Sequence, residues 1–166
     1  MRIVLIGMMG SGKTSVGREL SALLGWPYVD NDDVLRERTG LSVGELFARH
    51  GEPEAHAAEA RALAESLRRP GPVIVAVPGG AVLDPSSREL LAGERVVWLR
   101  ARPETLAARV RGSARPLLGD DPDAAIAALE QQRRPHYARL AQLVVDVDDL
   151  APAEIAARIA GQLGVC

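Results

Sequence analysis

The sequence predicts a single doubly wound α/β domain, in which helices flank a parallel sheet. Short apolar runs alternate along the chain with segments of helical periodicity, as in repeated strand–helix units. Several runs are apolar at successive positions and rich in valine and isoleucine, which is typical of strands buried on both faces. The 166 residues, 47% of them hydrophobic, suffice for one domain with a sizeable core.

The predicted elements follow in chain order. Five apolar runs are predicted strands: 2–6, 27–30, 72–77, 95–100 and 143–147. Four segments are predicted helices: 13–24, 54–67, 123–140 and 152–163. In the first helix Val16, Leu20 and Leu24 recur every fourth residue on one face. The segment 111–123 is rich in Gly, Pro and Asp, and we expect a mobile loop there.

Composition excludes several classes of protein. The net charge of −2 gives no support to a nucleic-acid partner. The single cysteine, Cys166, excludes an internal disulfide and a cysteine metal site. No apolar run is long enough to span a membrane, and the N-terminus has no signal-peptide pattern. We therefore expect a cytoplasmic protein without a membrane partner.

A phosphate-binding loop follows the first predicted strand. The stretch fits G-x-x-x-x-G-K-[ST] and reads Gly7-Met8-Met9-Gly10-Ser11-Gly12-Lys13-Thr14. Glycines let backbone N–H groups surround phosphate oxygens, and the helix that follows points its positive end at the anion. Lys13, the only lysine in the chain, can reach the β- and γ-phosphates, and Thr14 can hold Mg²⁺. The alternative is a glycine-rich turn that only packs a strand against a helix.

Three aspartates, Asp30, Asp32 and Asp33, lie at the end of the second predicted strand and just after it. The ends of parallel strands open onto the ligand crevice of such sheets. Asp30 is placed to support Mg²⁺ through water, and Asp32 to accept a hydrogen bond or proton from a substrate hydroxyl. Alternatively, the aspartates cap the next helix, which is the role we expect for Asp33.

Five further motifs follow the phosphate loop and the D-x-D of 30–32: RTG at 38–40, GE at 51–52, GGAV at 79–82, RPLL at 115–118 and R-x-P-x-Y at 133–137. With these motifs in this order, the chain resembles the shikimate kinase family. The resemblance implies a P-loop kinase fold of the nucleoside-monophosphate-kinase type, with five parallel strands, a lid at about 111–123 and a substrate segment at about 31–60. It implies transfer of the γ-phosphate of ATP to a hydroxyl of shikimate, with Mg²⁺.

The resemblance also implies roles for individual residues. Arg115 would contact phosphates from the lid, and Arg133 would bind the substrate carboxylate. Asp32 would bind substrate hydroxyls. Gly79 and Gly80 would line the substrate pocket. Arg109 and Pro152 resemble the residues near adenine. From the residues alone, Arg115 could be a solvated loop arginine and Arg133 could complement a helix dipole.

The departures from the family pattern all lie on the acceptor side. The family's GE-x-x-F-R has Ala55 for its phenylalanine and His56 for its arginine, and Pro78 replaces the first glycine of its GGG. Histidine offers a carboxylate at most one hydrogen bond where arginine offers two, and it needs a proton to carry charge. Ala55 either opens space for a larger acceptor or lets a neighbour such as Trp26 fill it.

Three functional interpretations remain open from the sequence. The first is a monomeric, ATP-dependent shikimate kinase with Lys13, Asp32 and Arg115 as catalytic residues. The second is a kinase of the same family that acts on gluconate or on a larger or less acidic polyol. The third is a nucleotide-binding regulator without an acceptor, which the changes at Ala55, His56 and Pro78 would favour.

Overall fold

A five-stranded parallel sheet forms the centre of the molecule. The computed structural model describes residues 1–111 and 121–165. The strands are β1 (Arg2–Ile6), β2 (Tyr28–Asp30), β3 (Val73–Ala76), β4 (Arg95–Arg100) and β5 (Leu143–Asp146). Their order in the sheet is β2-β3-β1-β4-β5, and every neighbouring pair is parallel. The central strand β1 is almost fully buried, as its apolar sequence predicts.

Helices flank this sheet. They are α1 (Lys13–Leu24), α2 (Asn31–Thr39), α3 (Val43–His50), α4 (Glu52–Leu67), α5 (Pro85–Leu91), α6 (Pro103–Val110), α7 (Pro122–Leu140) and α8 (Pro152–Leu163). A single 3₁₀ turn, Ala81–Leu83, precedes α5. Helix α1 packs against α8, α4 against α2 and α3, and α6 against α7. The predicted α/β fold class is confirmed, and each predicted strand lies within one residue of its observed bounds.

Four short helices were missed, because their sequences are short or mostly polar. Helix α2 is largely charged and starts directly after β2, where the side chain of Asp30 accepts a hydrogen bond from the Asp32 amide. Helix α3 begins with a capping box in which Ser42 and Glu45 exchange hydrogen bonds. That Ser-x-x-Glu spacing was a readable signal in the sequence.

The predicted loop at 111–123 extends too far at its C-terminal end. Helix α7 begins at Pro122, because Asp121 caps it by accepting a hydrogen bond from the Ala124 amide and proline suits the first helical position. Arg111 and Asp123, at the two ends of the segment, form an ion pair of 2.7 Å. Arg115 and most of the predicted lid lie outside the described residues.

No helix in the described ranges is both long enough and apolar enough to cross a membrane.

Candidate active site

The phosphate loop joins β1 to α1 at the carboxyl edge of the sheet. Its glycines Gly7, Gly10 and Gly12 have positive φ angles of 147°, 81° and 89°. At Gly7 a Cβ would meet the carbonyl oxygen of Leu99 in β4 at 2.6 Å, so only glycine fits there. No side chain of the described residues caps α1, which leaves its first N–H groups available to an anion.

Two side chains of the loop also suit a phosphate. The Nζ of Lys13 donates to the carbonyl oxygens of Gly7 at 2.9 Å and Met8 at 3.1 Å, which holds the ammonium over the loop. Ser11 is 1% exposed, and its Oγ finds no hydrogen-bond partner in the described part of the chain. A buried polar atom without a partner is costly, and a phosphate oxygen would satisfy it.

Asp30 connects this loop to the acceptor side. Its Oδ2 accepts hydrogen bonds from the hydroxyls of Tyr28 at 3.0 Å and Thr14 at 3.4 Å, while its Oδ1 caps α2. Hard oxygen atoms of this kind are the ligands that Mg²⁺ prefers. Among residues 1–111 and 121–165 no group of three His, Cys, Asp or Glu side chains could hold a metal unaided. The site therefore suits an ion that is bound mostly by phosphates and water.

Gly17 of α1 fixes the position of Tyr28. A Cβ at Gly17 would lie 2.3 Å from Cε2 of the Tyr28 ring, so the ring packs directly on the helix backbone. This contact holds the hydroxyl that donates to Asp30. Burial raises the pKa of the Tyr28 phenol, and the charge of Asp30 raises it further, so the group remains a donor.

We expect Gly17→Ala to destabilise the protein despite the better helix propensity of alanine. The methyl group would displace the Tyr28 ring, and such overpacking costs about 1–3 kcal/mol. The measurement is the free energy of unfolding in urea. The matched control is Gly161→Ala in α8, where an added Cβ meets no atom within 4 Å of the described structure. We expect this control to gain up to about 1 kcal/mol. Equal effects of the two substitutions would contradict the role of Gly17.

Asp32 lies in the first turn of α2, and the residue as a whole is exposed. Partial desolvation by its neighbours raises the pKa of this carboxyl, the charge of Asp30 raises it further, and Lys13 lowers it. A carboxylate with a raised pKa beside the phosphate loop is suited to accept a proton. Asp33, in the same turn, is also exposed and sits where acids favour the positive end of a helix.

Asn31 anchors the turn that carries Asp32. It is fully buried, and its Nδ2 donates to the carbonyl oxygen of Glu59 in α4 at 3.4 Å. Its Oδ1 accepts from the Ser66 hydroxyl of the same helix at 3.2 Å. These bonds tie the start of α2 to α4 and so fix Asp32 relative to the acceptor side.

Among the described residues, Arg133 is a buried cation without a carboxylate partner. It is 8% exposed, its Nε has no hydrogen-bond partner within the described ranges, and its Nη1 lies 3.9 Å from the sulfur of Met8. No described carboxylate lies within ion-pair distance of it. Its neighbour Arg134 instead pairs with Glu130 at 2.7 Å. A buried positive charge that no described carboxylate neutralises favours the binding of an anion.

The Gly79–Gly80 backbone lies directly against this guanidinium. A Cβ at Gly79 would meet Nη1 of Arg133 at 3.0 Å and the carbonyl oxygen of Gly7 at 3.1 Å, and one at Gly80 would meet Nη2 of Arg133 at 3.3 Å. The Tyr137 hydroxyl donates to the Gly79 carbonyl at 2.7 Å. Burial raises the pKa of Tyr137 to about 12, so it remains a donor.

His56 lies on α4 between two glutamates. Its Nδ1 is 3.2 Å from Glu59 and its Nε2 is 3.3 Å from Glu52. Burial raises the pKa of Glu59, whereas His56 lowers it, and the charges of Asp32 and Arg133 act on it as well. Asp32, Glu59 and Arg133 therefore interact electrostatically, and we call them the acceptor cluster. Ala55 is 1% exposed within the core, so protein atoms surround it and its small side chain leaves no opening to solvent.

The two residues predicted near adenine lie away from the acceptor cluster. Arg109 donates to the carbonyl oxygens of Gly10 at 3.2 Å and Val147 at 3.0 Å, which places it beside the phosphate loop. Pro152 is the exposed first residue of α8.

The sequence did not reveal the supporting residues Gly17, Asn31, Glu59 and Tyr137. A glycine inside a helical pattern was a readable signal for Gly17. The other three act through contacts between elements that lie far apart in the chain.

Comparisons with known proteins agree with this arrangement. The family model described as Shikimate kinase matches residues 9–163. A shikimate kinase of Moorella thermoacetica is 44% identical over 159 residues, which are 95% of this chain and 91% of that protein. A shikimate kinase of Symbiobacterium thermophilum is 42% identical over 168 residues, with 98% of this chain and 96% of that protein covered.

Solved structures of shikimate kinases share this fold. A shikimate kinase from Acinetobacter baumannii, in complex with shikimate, has a TM-score of 0.90 and 32% identity, covering 98% of this chain and 92% of that one. A gluconokinase from Sinorhizobium meliloti 1021 has a TM-score of 0.63 and 23% identity, covering 98% of this chain and 95% of that one, which is a likeness of fold alone. By its sequence and its fold, the chain belongs to the shikimate kinase family.

Proposed function

We propose that this chain transfers the γ-phosphoryl group of ATP to a hydroxyl of shikimate, as a step of aromatic amino acid biosynthesis. The observation that carries the proposal is Arg133, a buried guanidinium without a carboxylate partner in the described residues, beside a glycine-lined wall. Shikimate carries a carboxylate and several hydroxyls, so it would complement both Arg133 and Asp32.

On the nucleotide side, the phosphate loop and Lys13 would hold the triphosphate. Within the described part of the chain no side chain caps the start of α1 and the Ser11 hydroxyl has no hydrogen-bond partner, which supports this role. Thr14 and Asp30 would hold Mg²⁺, Asp30 partly through water, and the ion would neutralise charge on the phosphates. Arg109 and Pro152 would lie near the base, and Arg115 would stabilise the transferring phosphoryl group.

On the acceptor side, Asp32 would take the proton of the attacking hydroxyl. The hydroxyl oxygen forms the new bond to the γ-phosphorus, and the bond from that phosphorus to the bridging oxygen of ADP breaks. Arg133 would bind the acceptor carboxylate through two hydrogen bonds, with His56 contributing a further one. Gly79 and Gly80 would form the wall on which the acceptor ring lies. Catalysis would then come mainly from positioning and charge stabilisation.

The second candidate is a kinase for a different acceptor. The observation that favours it is His56, which offers a carboxylate fewer donors than the family's arginine. Buried Ala55 does not enlarge the opening to solvent, which argues against a much larger acceptor.

Release of ADP by the purified protein with ATP and Mg²⁺, with and without shikimate, tests the proposal. We expect shikimate-dependent turnover that falls about a hundredfold or more in Lys13→Ala, because a donor to the transferring phosphates is lost. Gluconate and other hydroxy acids are assayed in parallel. Turnover with gluconate alone would favour the second candidate. ATP binding without turnover on any acceptor would indicate a regulator.

A further inference from the structure

Both ring nitrogens of His56 face carboxylate oxygens. The Nδ1 lies 3.2 Å from Glu59 and the Nε2 lies 3.3 Å from Glu52. A neutral imidazole has one N–H, whereas the imidazolium has two. The ring can therefore donate to both glutamates only when it is protonated, and in that state no N–H is left for a substrate.

The two glutamates differ in how far their side chains are exposed to solvent. The side chain of Glu59 is 5% exposed, whereas that of Glu52 is 65% exposed. An exposed carboxylate regains full hydration when it leaves an ion pair, so such pairs are weak. A buried carboxylate that loses its partner is strongly penalised. Of the two, Glu52 is the one that another anion can replace.

This histidine lies next to the acceptor cluster. Its partner Glu59 is in the electrostatic field of both Asp32 and Arg133, which are the groups proposed to bind the acceptor. The backbone of Glu59 also accepts the hydrogen bond from Asn31, beside Asp32. An anion bound at Arg133 would thus lie close enough to interact electrostatically with Glu59, the partner of His56.

Charged groups of other elements also surround α4. Asp32 of α2 and Arg133 of α7 act on Glu59. In α3, Arg49 and His50 are exposed, and no hydrogen bond or ion pair within the described ranges joins them to His56. From α5, Arg88 donates to the carbonyl oxygens of the preceding 3₁₀ turn. In α2, Arg38 pairs with Glu65 of α4 at 2.7 Å. The charges of other elements that act on Glu59, the partner of His56, are those of Asp32 and Arg133.

We propose that Glu52 competes with the carboxylate of the acceptor for the Nε2–H of His56, and that this exchange requires a protonated imidazole. The inference rests on the proposed function. In the exchange, Nδ1–H stays on Glu59, Glu52 turns to solvent, and the substrate carboxylate takes its place. Acceptor affinity in this chain then depends on pH, which a permanently charged arginine at this position would not produce.

The dissociation constant for shikimate, measured by calorimetry from pH 6 to pH 8.5, tests the inference together with kcat and KM. We expect the constant to rise about three- to fivefold across this range, as for a partly exposed ion pair. Glu52→Gln tightens shikimate binding about two- to fivefold at pH 6, because the competitor is neutral. The value of kcat stays unchanged.

Matched variants separate this mechanism from general effects. In His56→Gln the constant is flat with pH, and adding Glu52→Gln has no further effect. In His56→Arg the dissociation constant for shikimate does not change with pH and is lower than in the unmodified protein. Glu54→Gln, on the same helix but paired with Arg61 at 2.6 Å, behaves as the unmodified protein.

A flat profile in the unmodified protein, or weaker binding in Glu52→Gln at pH 6, overturns the inference and leaves the proposed function intact. Absence of both binding and turnover overturns the proposed function.

Discussion

Asp32→Asn should lower kcat about a hundred- to ten-thousandfold while leaving ATP affinity within about twofold. Asparagine keeps the shape and the position of the side chain, which Asn31 fixes through its bonds to α4. It cannot take the proton of the attacking hydroxyl. Steady-state kinetics with shikimate, together with ATP binding by calorimetry, would measure the two effects separately.

The matched control for this substitution is Asp33→Asn. Asp33 lies in the same turn of α2 and is exposed, so it has the same effect on the helix dipole. We expect its kcat to stay within about twofold, since a single exposed charge at a helix start has a small effect. Equal losses in the two variants would mean that Asp32 acts through helix stability instead of proton transfer.

Arg133→Lys should raise KM for shikimate about ten- to a hundredfold with a much smaller change in KM for ATP. Lysine keeps the positive charge but loses the planar pair of donors, and a charge-assisted hydrogen bond is worth about 1.5–3 kcal/mol. The measurement is KM for each substrate with the other one saturating. Thermal unfolding would verify that the buried lysine leaves the fold intact.

Arg134→Lys is the matched control for Arg133. Arg134 is the next residue of α7, but it pairs with Glu130 and lies over the Trp98 ring at 5.8 Å. We expect both KM values to remain within about twofold, as for a surface ion pair. A rise in KM for ATP as large as that for shikimate would contradict the assignment of Arg133 to the acceptor side.

The strands were predictable because burial on both faces leaves a dense local pattern. The runs around β1 and β4 are apolar at nearly every position, so their limits can be read from a few adjacent residues. Helix α2 has no such pattern. Its nine residues are mostly charged, and its stability comes from the Asp30 cap and from packing against α4. Tertiary contacts of this kind leave little trace in a short sequence window.

The residues of the candidate site also fall into two groups, those that a local sequence pattern predicts and those that only tertiary contacts reveal. The phosphate loop and the D-x-D pair are contiguous in sequence, so their chemistry could be predicted directly. The Tyr137 bond to Gly79 and the packing of Tyr28 on Gly17 join residues of different elements. The replacement of arginine by His56 was visible in the sequence. Its pairing with Glu52 and Glu59 depends on which residues share one face of α4, and the structure was needed to see it.

The contact between Gly7 and Leu99 has a consequence for the order of assembly during synthesis. The phosphate loop precedes β4 in the chain and is synthesised before it, yet its first glycine rests on a backbone carbonyl of β4. The central strand β1 likewise takes its partners from β3 and β4, both made much later. Non-local pairing of this kind forms only after the intervening chain has closed. We therefore expect a nascent chain that ends before β4 to have the loop sequence without the backbone that supports it.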